Sequence, residues 1–493
     1  MFIKYVTILF TLVIISTSTG NGQKLKLAET YANNINIEDL KKHIDVLTHD
    51  SLGGRGLGSE GLKKANFYIG QSFKELLIKS FLPHSYNQEF KIIQESQGET
   101  YLKFNNKKYY NYDQFVYLGS AEVSEEEESS LIYSSKLHQY KDSSLANTSV
   151  AAFPSNRVYS DFRTNNWPEA FLLISIGGES GNSIAFSTLK ETRERNYYFP
   201  GKIKVAKQEQ ISFLAKPSLA ANALGIPQSK LMKWKNNEPG KSQLSKMKPT
   251  KIIFKAALKY DTLTVANVLG YIEGEEKKDE LIIISGHYDH LGKNDSTYFP
   301  GADDNASGIS ALLEIAEAFK IAKNEGNGPA RSILFIAFTG EEKGLFGSRY
   351  YTNNPIFPLQ NTVANLNIDM IGRVDNFHSG EEPYIYLIGA DKISKELHDL
   401  SESVNKKTLQ LQLDYKYNAE DDPNQFYYRS DHYNFAKNKI PVIFYFNGTH
   451  ADYHKVTDTA NKIEFDLLQK RAQLIFYTAW ELANRENRLK IDN

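Results

Sequence analysis

Five short segments of this chain carry side chains that can bind metal ions or move protons. In chain order they are residues 285–290, 301–308, 339–342, 367–370 and 453–459. Together they supply two histidines and three carboxylates as ligands, and one further glutamate remains. Imidazole nitrogens and carboxylate oxygens are typical ligands in hydrolases that hold two zinc ions. The spacing therefore predicts a two-metal hydrolytic site.

The first segment follows an apolar run, 281–284, that is typical of a buried strand. His287 is its candidate ligand, and the second ring nitrogen of this histidine needs an acceptor. Asp289 is placed to supply that acceptor as an orienting residue. A lone His-x-Asp pair is more often a surface turn, so this interpretation depends on the later segments.

The second segment has two adjacent aspartates in a turn bracketed by glycines, ahead of a helix predicted to begin near Ser307. Either Asp304 or a polar neighbour could simply cap that helix. Two aspartates exceed what capping requires, whereas a carboxylate shared by two metals would explain them. We predict that Asp304 is the bridging ligand and that Asp303 supports it.

The third segment has two adjacent glutamates after the apolar run 333–338. Consecutive side chains point in different directions, so one can bind metal while the other faces the reacting water. Because a bound cation shifts the pKa of a carboxylate, the base must be the glutamate that is not a ligand. We predict Glu341 as the general base and Glu342 as the ligand. The alternative is two acidic residues that stabilise the first turn of a helix.

The last two segments complete the predicted ligand set. Asp369 ends another apolar run, where a buried ionised side chain needs a partner. His454 competes with His432 and His450 for the remaining position, and Asp458 could orient it. Each residue alone is more often structural, but five ligands in suitable surroundings predict a metal site.

The predicted elements around these segments alternate between strands and helices. Strands are expected at 265–272, 281–285, 332–338, 364–369, 384–388 and 441–446, and helices at 37–47, 61–77, 307–323, 342–352, 391–404 and 462–486. This alternation predicts an α/β fold with a mostly parallel central sheet flanked by helices. Sites in such sheets gather at the carboxyl ends of the strands, where all the candidate ligands lie.

The remaining sequence predicts a second domain. The chain has 493 residues, which is more than one core usually supports. Residues 120–255 combine short strand-like runs with polar loops and contain no ligand series, so we predict an inserted, mostly β domain there. Residues 35–119 and 256–493 are then the two parts of the catalytic domain.

The N-terminus predicts export. Lys4 precedes an apolar stretch that is short for a membrane span, so residues 1–22 are expected to be a signal peptide. The protein would be periplasmic or secreted, without a stable membrane span after cleavage; an uncleaved anchor is the alternative. The chain has no cysteine, which excludes disulfides and cysteine ligands. A formal net charge of -1 and the lack of a long basic stretch argue against nucleic acid as a partner.

The motifs resemble those of peptidase family M28, the co-catalytic zinc aminopeptidases and related enzymes. The resemblance rests on residues 286–292, 301–308, 339–342, 367–370 and 453–459, with weaker echoes at 54–59 and 430–432. It implies a phosphorylase/hydrolase-like zinc exopeptidase fold from about residue 35 to the end. Many members carry an inserted protease-associated domain. Residues 120–255 occupy its place, and 213–224 resemble its closing segment.

The resemblance also implies two zinc ions per chain and a role for each candidate. The ligands would be His287 and Asp369 for one ion, Glu342 and His454 for the other, and Asp304 for both. Asp289 would orient His287, and Glu341 would activate the water. A tyrosine ahead of residue 430 would help to stabilise the oxyanion, and of Tyr427 and Tyr428 we favour Tyr428.

The activity that this implies is removal of amino-terminal residues from peptide substrates. A carboxypeptidase, dipeptidase or glutaminyl-cyclase-like enzyme on the same fold is an alternative. A non-catalytic binding ectodomain would be expected to lack Glu341 or a ligand, and none is missing. The acidic loop 420–422 is predicted to border the substrate entrance. The sequence sets neither side-chain specificity nor oligomeric state.

Overall fold

A computed structural model describes residues 25–82, 85–119, 122–134, 147–153, 170–174, 196–202, 211–235, 237, 239–294, 297–380 and 382–492. The chain divides into two compact units, one of Met1–Phe90 with Thr264–Asn493 and one of Lys91–Leu263. The predicted signal peptide lies outside the described residues. No helix in the described part of the chain is long and apolar enough to cross a membrane.

The secondary structure follows the chain in this order. The strands are β1 (Asn87–Phe104), β2 (Lys107–Tyr110), β3 (Phe115–Tyr117), β4 (Val123–Tyr133), β5 (Thr148–Ala152), β6 (Ala170–Ile174), β7 (Asn196–Tyr198), β8 (Ile211–Ala215), β9 (Thr250–Ile272), β10 (Lys277–His287), β11 (Arg331–Phe338), β12 (Thr362–Ile368), β13 (Tyr384–Ile388), β14 (Gln412–Asp414) and β15 (Val442–Phe446). The helices are α1 (Ile37–Leu47), α2 (Glu60–Glu75), α3 (Pro217–Ala223), α4 (Gln228–Trp234), α5 (Lys241–Leu244), α6 (Gly308–Asn324), α7 (Phe346–Asn353), α8 (Lys395–Lys407), α9 (His432–Ala436) and α10 (Phe465–Asn484). Residues 25–32 are also helical.

The first unit is built on a sheet in which parallel pairs dominate. Its strand order is β14-β13-β15-β12-β10-β11, followed by the second part of β9. Among these neighbours only β13 with β15 and β11 with β9 are antiparallel. The prediction of an α/β fold with a mostly parallel sheet is therefore confirmed.

Helices cover both faces of this sheet. Helices α6 and α10 pack on β10 and β11 and on each other, whereas α9 packs on β12 and β15 beside α7. Leu281, Ile282, Ile283 and Ile284 of β10 are all fully buried. A continuous apolar run without alternation is what a strand covered on both faces requires.

Two helices begin four residues later than the sequence predicted, at 395 instead of 391 and at 346 instead of 342. Helix α8 begins at Lys395, because Ser394 caps it by accepting a hydrogen bond from the backbone N–H of Leu397. Helix α7 begins at Phe346, because the chain first makes a turn with positive φ at Gly344 and Leu345. The second difference leaves the two adjacent glutamates outside the helix.

The second unit has its own core. Strands β4, β5, β6 and β8 are parallel, and β3 runs antiparallel to β8. Apolar side chains from these strands and from α3 and α4 form one cluster, which includes Phe213, Leu219 and Trp234. This division places 91–119 and 256–263 in the second unit, whereas the sequence predicted an insertion at 120–255. The reason is that β1 pairs with β2 and β3 pairs with β8. Its protease-associated character stays a prediction.

Candidate metal centre

The carboxyl ends of four neighbouring parallel strands form the site. Strands β15, β12, β10 and β11 lie side by side, so their carboxyl ends share one edge. His287 is the last residue of β10, and Asp369 directly follows β12. Glu341 and Glu342 follow β11, and His454 lies in the loop after β15. The topology thus brings residues from four distant segments together.

Asp304 lies between the two predicted pairs of ligands. It belongs to a turn, Ala302–Ser307, that precedes α6. Its Oδ1 lies 3.3 Å from Nε2 of His287, and its Oδ2 lies 3.0 Å from Nε2 of His454. A carboxylate whose two oxygens face different histidines has the arrangement that a bridging ligand needs.

The first group of candidate ligands comprises His287, Asp304 and Asp369, whose ligand atoms lie within 4.8 Å of one another. Oδ1 of Asp369 lies 3.3 Å from Nε2 of His287. Oδ2 of Asp369 accepts a hydrogen bond from Oγ of Ser430 at 2.7 Å. One carboxylate oxygen is therefore held by the protein while the other faces the group.

The second group contains Asp304, Glu342 and a histidine that the sequence analysis did not single out, His290. Nδ1 of His290 lies 2.7 Å from Oε1 of Glu342 and 3.8 Å from Oδ2 of Asp304. The predicted ligand, His454, faces the same carboxylates, with Nε2 at 3.0 Å from Asp304 and 3.3 Å from Glu342. Two histidines therefore converge on this group.

This set of donors fits two divalent cations. Nε2 of His287 lies at 3.3 Å from both Asp304 and Asp369, and one ring proton cannot bond well to both carboxylates. A cation between them would satisfy all three groups. Nitrogen and oxygen donors of this kind suit zinc. Because Asp304 belongs to both groups, the set has room for two ions that share one ligand.

The surroundings of the second group favour ionised carboxylates on Asp304 and Glu342 and a protonated His454. Burial would raise the pKa of Asp304, but His290, His287 and His454 hold it well below its usual range. Burial and Asp304 also oppose ionisation of Glu342, yet its two histidine neighbours lower its pKa to about 2. Burial would lower the pKa of His454, but the two carboxylates raise it to about 10. A cation that binds here therefore displaces a proton.

Glu341 has a different environment from Glu342. It lines the same pocket but belongs to neither ligand group. Burial raises the pKa of Glu341 well above its usual value. His287 opposes this rise, whereas the negative charges of Asp369 and Glu342 add to it. The backbone N–H groups of Gly344 and Leu345 both donate to the carbonyl of Glu341 at 2.9 Å. This turn keeps both glutamates off the helix.

Asp289 stands beside His287 with its backbone carbonyl closer to the ring than its carboxylate, and its orienting role stays a prediction. Nδ1 of His287 lies 3.1 Å from the backbone carbonyl of Asp289 and 4.0 Å from its Oδ1. The carboxylate accepts the backbone N–H of Glu341 at 3.2 Å. Burial raises the pKa of Asp289 to about 6. Asp289 therefore connects the candidate base to the first ligand segment.

A buried row of polar side chains leads to Asp369. Nδ2 of Asn365 donates to Oγ of Ser285 at 2.8 Å, and Ser285 donates to Oδ1 of Asn367 at 2.8 Å. Nδ2 of Asn367 donates to Oγ of Ser430 at 2.9 Å, and Ser430 donates to Asp369. This row was not predicted, although polar residues at alternate positions 365, 367 and 369 of a buried strand were the visible signal.

Arg55, from the weaker motif at 54–59, fixes two of the ligand loops. Its Nε donates to the carbonyl of Tyr288 at 2.9 Å. Its Nη1 and Nη2 donate to the carbonyls of Pro300 and Gly301 at 2.7 and 2.9 Å. Arg55 is fully buried, and burial lowers its pKa to about 10. One side chain thus holds both the segment directly after His287 and the segment shortly before Asp304.

Asn305 begins the sequence Asn-Ala-Ser, which matches the pattern for N-glycosylation, but its side chain hydrogen-bonds inside the site. It is fully buried, and its Nδ2 donates to the carbonyl of Ile368 at 2.8 Å. Its Oδ1 accepts the backbone N–H groups of Gly308 and Met370 at 3.0 and 3.1 Å. It joins the turn that carries Asp304 to the end of β12.

Three further predicted features lie elsewhere. Tyr428 is 51% exposed, packs against Tyr427 and Tyr433, and is not among the lining residues of the pocket. Asp458 accepts the backbone N–H groups of residues 303 and 304, so it supports the bridging segment rather than His454. In the acidic loop, residues 420 and 421 are exposed and do not line the pocket either.

The pocket itself is small and combines acidic and aromatic walls. Its lining residues are His287, Asp304, Glu341, Glu342, Asp369, Met370, Phe426, Arg429, Ser430, Phe444, Phe446, Tyr453 and His454. All five predicted ligands and the predicted base are among them. The aromatic wall and Arg429 were not predicted, because neither forms a local pattern in the sequence.

The sequence is similar to those of known proteins. The chain is 32% identical over 158 residues to the aminopeptidase YwaD of Bacillus subtilis, which covers 32% of this chain and 31% of that protein. It is 32% identical over 123 residues to a probable zinc metalloprotease of Pyricularia oryzae, which covers 24% of each. These matches span a quarter to a third of the curated relatives.

A solved structure shows the same fold. The aminopeptidase from Aneurinibacillus sp. strain AM-1 aligns with a TM-score of 0.54 at 19% identity, covering 94% of this chain and 98% of that one. Residues 267–479 match the model of peptidase family M28 and contain every predicted ligand. These residues therefore belong to peptidase family M28.

Proposed function

We propose that this chain is a two-zinc exopeptidase, and specifically an aminopeptidase that removes amino-terminal residues from peptides. The observation that carries the proposal is the position of Asp304, whose two oxygens face separate histidines beside an uncommitted glutamate, Glu341. The relatives named as an aminopeptidase and a zinc metalloprotease support the reaction and the metal.

The proposed ligands follow from the two groups. His287 and Asp369 would hold one zinc ion, Glu342 and His454 the other, and Asp304 would hold both. When bound, the ions supply Lewis acidity, polarising the scissile carbonyl and lowering the pKa of water. His290 would keep Glu342 in place through its contact at 2.7 Å.

The protein's own contribution to the reaction centres on Glu341. Its raised pKa suits a group that takes a proton from the attacking water and returns it to the leaving amine. Asp289 would hold the Glu341 backbone through the hydrogen bond to its N–H. Tyr428 was predicted to stabilise the oxyanion, but Tyr453 lines the pocket and is the better placed hydroxyl.

The remaining predictions extend this proposal. The signal peptide at 1–22 would export the enzyme to the periplasm or medium. The second unit would be the protease-associated insertion. Both are testable separately from the chemistry, by N-terminal sequencing of the secreted protein and by deletion of the second unit.

The test uses the zinc-reconstituted full chain with leucyl-glycyl-glycine and its amino-terminally acetylated form. We expect release of leucine from the free peptide and no cleavage of the acetylated one. Efficient cleavage of the acetylated peptide at its carboxyl end would replace aminopeptidase with carboxypeptidase. Ammonia release from glutaminyl peptides alone would indicate a cyclase, and binding without turnover would indicate a non-catalytic ectodomain.

A further inference from the structure

The pocket that holds the candidate ligands combines carboxylates and histidines with one further cationic side chain. Four carboxylates line it, from Asp304, Glu341, Glu342 and Asp369. Among the described lining residues, Arg429 is the one lysine or arginine. None of the roles proposed so far uses a cation at this position.

Contacts with the aromatic wall fix the position of Arg429. Its Nη2 donates to the hydroxyl of Tyr453 at 3.2 Å, and its guanidinium carbon lies 4.7 Å from the centre of the Phe426 ring. The ring of Tyr453 in turn stacks on His454 with centroids 3.9 Å apart. The guanidinium therefore lies one aromatic ring away from a candidate zinc ligand.

The guanidinium keeps most of its donors available. In the described part of the chain, its side-chain contacts are those with Tyr453 and Phe426, and no carboxylate pairs with it. Arg373, from a nearby loop, is instead paired with Asp452 at 3.0 Å. A planar guanidinium with free donors recognises carboxylates through two parallel hydrogen bonds.

We infer that Arg429 binds a carboxylate of the substrate and makes the enzyme selective for peptides that present one close to the scissile bond. Two parts of a peptide can supply that group. One is an acidic side chain on the residue that is released, and the other is the α-carboxylate of a dipeptide. The inference rests on the proposed function, because it places the scissile bond at the ligand groups.

The experiment compares acid and amide members of two substrate pairs with the zinc-reconstituted full chain. The pairs are leucyl-glycine with leucyl-glycinamide, and glutamyl with glutaminyl 4-nitroanilide. We expect the wild type to favour the acid in one pair, and Arg429→Gln to lower kcat/KM for that acid about 10- to 100-fold, chiefly through KM. The amides should lose less than the acids, because for them only the contact of Arg429 with Tyr453 is disturbed, and Arg429→Lys should restore only part of the preference.

Arg488 supplies a matched control. It is an exposed arginine that donates to the backbone carbonyls of Gln360 and Thr362 and does not line the pocket. Arg488→Gln should leave the preference for the acid unchanged. Thermal unfolding of each variant reports whether the fold is retained.

Each outcome decides the inference. If Arg429→Gln loses selectivity only in the dipeptide pair, Arg429 binds the α-carboxylate of a dipeptide. If it loses selectivity only in the anilide pair, Arg429 binds the acidic side chain of the released residue. Equal losses on acid and amide, or no loss at all, overturn it. If the wild type cleaves none of the four compounds, the proposed function fails. Calorimetry with the same compounds then tests Arg429, and equal affinities for acid and amide overturn the inference.

Discussion

The two groups of candidate ligands differ in how firmly the fold holds them. The side chains of His287 and Asp369 are 1% and 11% exposed and stand at the ends of adjacent parallel strands. The side chain of His454 is 35% exposed and lies in a loop, with a positive φ of 55°. Glu342 lies in a turn ahead of α7 rather than in a helix or strand.

The residues that contact the ligands from behind also differ between the two groups. Asp369 has a fixed donor in Ser430, and Ser430 is itself held by the buried polar row. His454 has the ring of Tyr453 as its support, in a pocket open to substrate. Ligands held by rigid surroundings lose less entropy when a metal binds. We therefore expect the first group to bind its ion more tightly than the second.

The largest effect should follow from removing the ligand that the two groups share. Asp304→Ala should abolish tight binding of both ions, because both carboxylate oxygens and the negative charge that they carry are lost. Loss of metal assistance worth several kcal/mol predicts at least a ~10³-fold lower kcat. Equilibrium dialysis with elemental analysis measures the ions. A variant that still holds one ion tightly would show that Asp304 serves a single group.

The adjacent glutamates should separate chemistry from metal binding. Glu341→Gln should keep both ions and lower kcat roughly 10²- to 10⁴-fold, because the proton carrier is lost. Glu342→Gln should retain the first ion and weaken the second. Steady-state kinetics with parallel metal analysis tests both variants. Reversed phenotypes would mean that base and ligand have been assigned the wrong way round.

The two histidines of the second group should differ in how much each contributes to the affinity for the second ion. His454→Ala should release the second ion and leave the first in place, since no contact links His454 to Asp369. His290→Ala should weaken the second ion by about 10- to 100-fold, the range for residues that orient a ligand. Titration of the metal-free variants with zinc measures both affinities. A larger loss for His290→Ala would make His290 the ligand and His454 its support.

The smallest effect should come from removing the hydrogen bond that holds Asp369, a ligand of the first group. Ser430→Ala removes the donor to Oδ2 of Asp369 and should weaken the first ion by about 10-fold, at the low end of such effects. The second ion should bind as in the wild type. Competition with a chelator gives the affinities. A Ser430→Ala variant that loses only the second ion would contradict the expected rank of the two groups.

The candidate ligands at strand ends could be predicted from the sequence, whereas the groups that hydrogen-bond to these ligands could not. The apolar run 281–284 and the residues after it have a local pattern, so His287 could be found by reading along the chain. The contact at 3.1 Å between Nδ1 of His287 and the backbone carbonyl of Asp289 involves no side chain of Asp289, so no side-chain pattern reveals it. The start of α7 was misplaced because residues 344 and 345 adopt positive φ, which leucine rarely does.

Distant contacts explain the other omissions. Ser430 and Asp369 are 61 residues apart in the chain, and their pairing depends on β15 lying beside β12. Arg429 and Tyr453 are 24 residues apart and meet across a pocket. Single-sequence patterns describe neighbours along an element, so they identify candidate ligands but not the side chains that arrive from other elements.

The hydrogen bonds of Arg55 join two parts of the chain that are far apart in sequence. Arg55 and Tyr288 are separated by 233 residues, and Arg55 lies outside the segment 267–479. Because long-range contacts close late, we expect zinc-binding competence to appear only in the last phase of refolding, after most secondary structure has formed. A fragment restricted to 267–479 would contain all five ligands and yet lack the side chain that fixes their loops. Expression as that fragment should therefore give a chain without a preformed site.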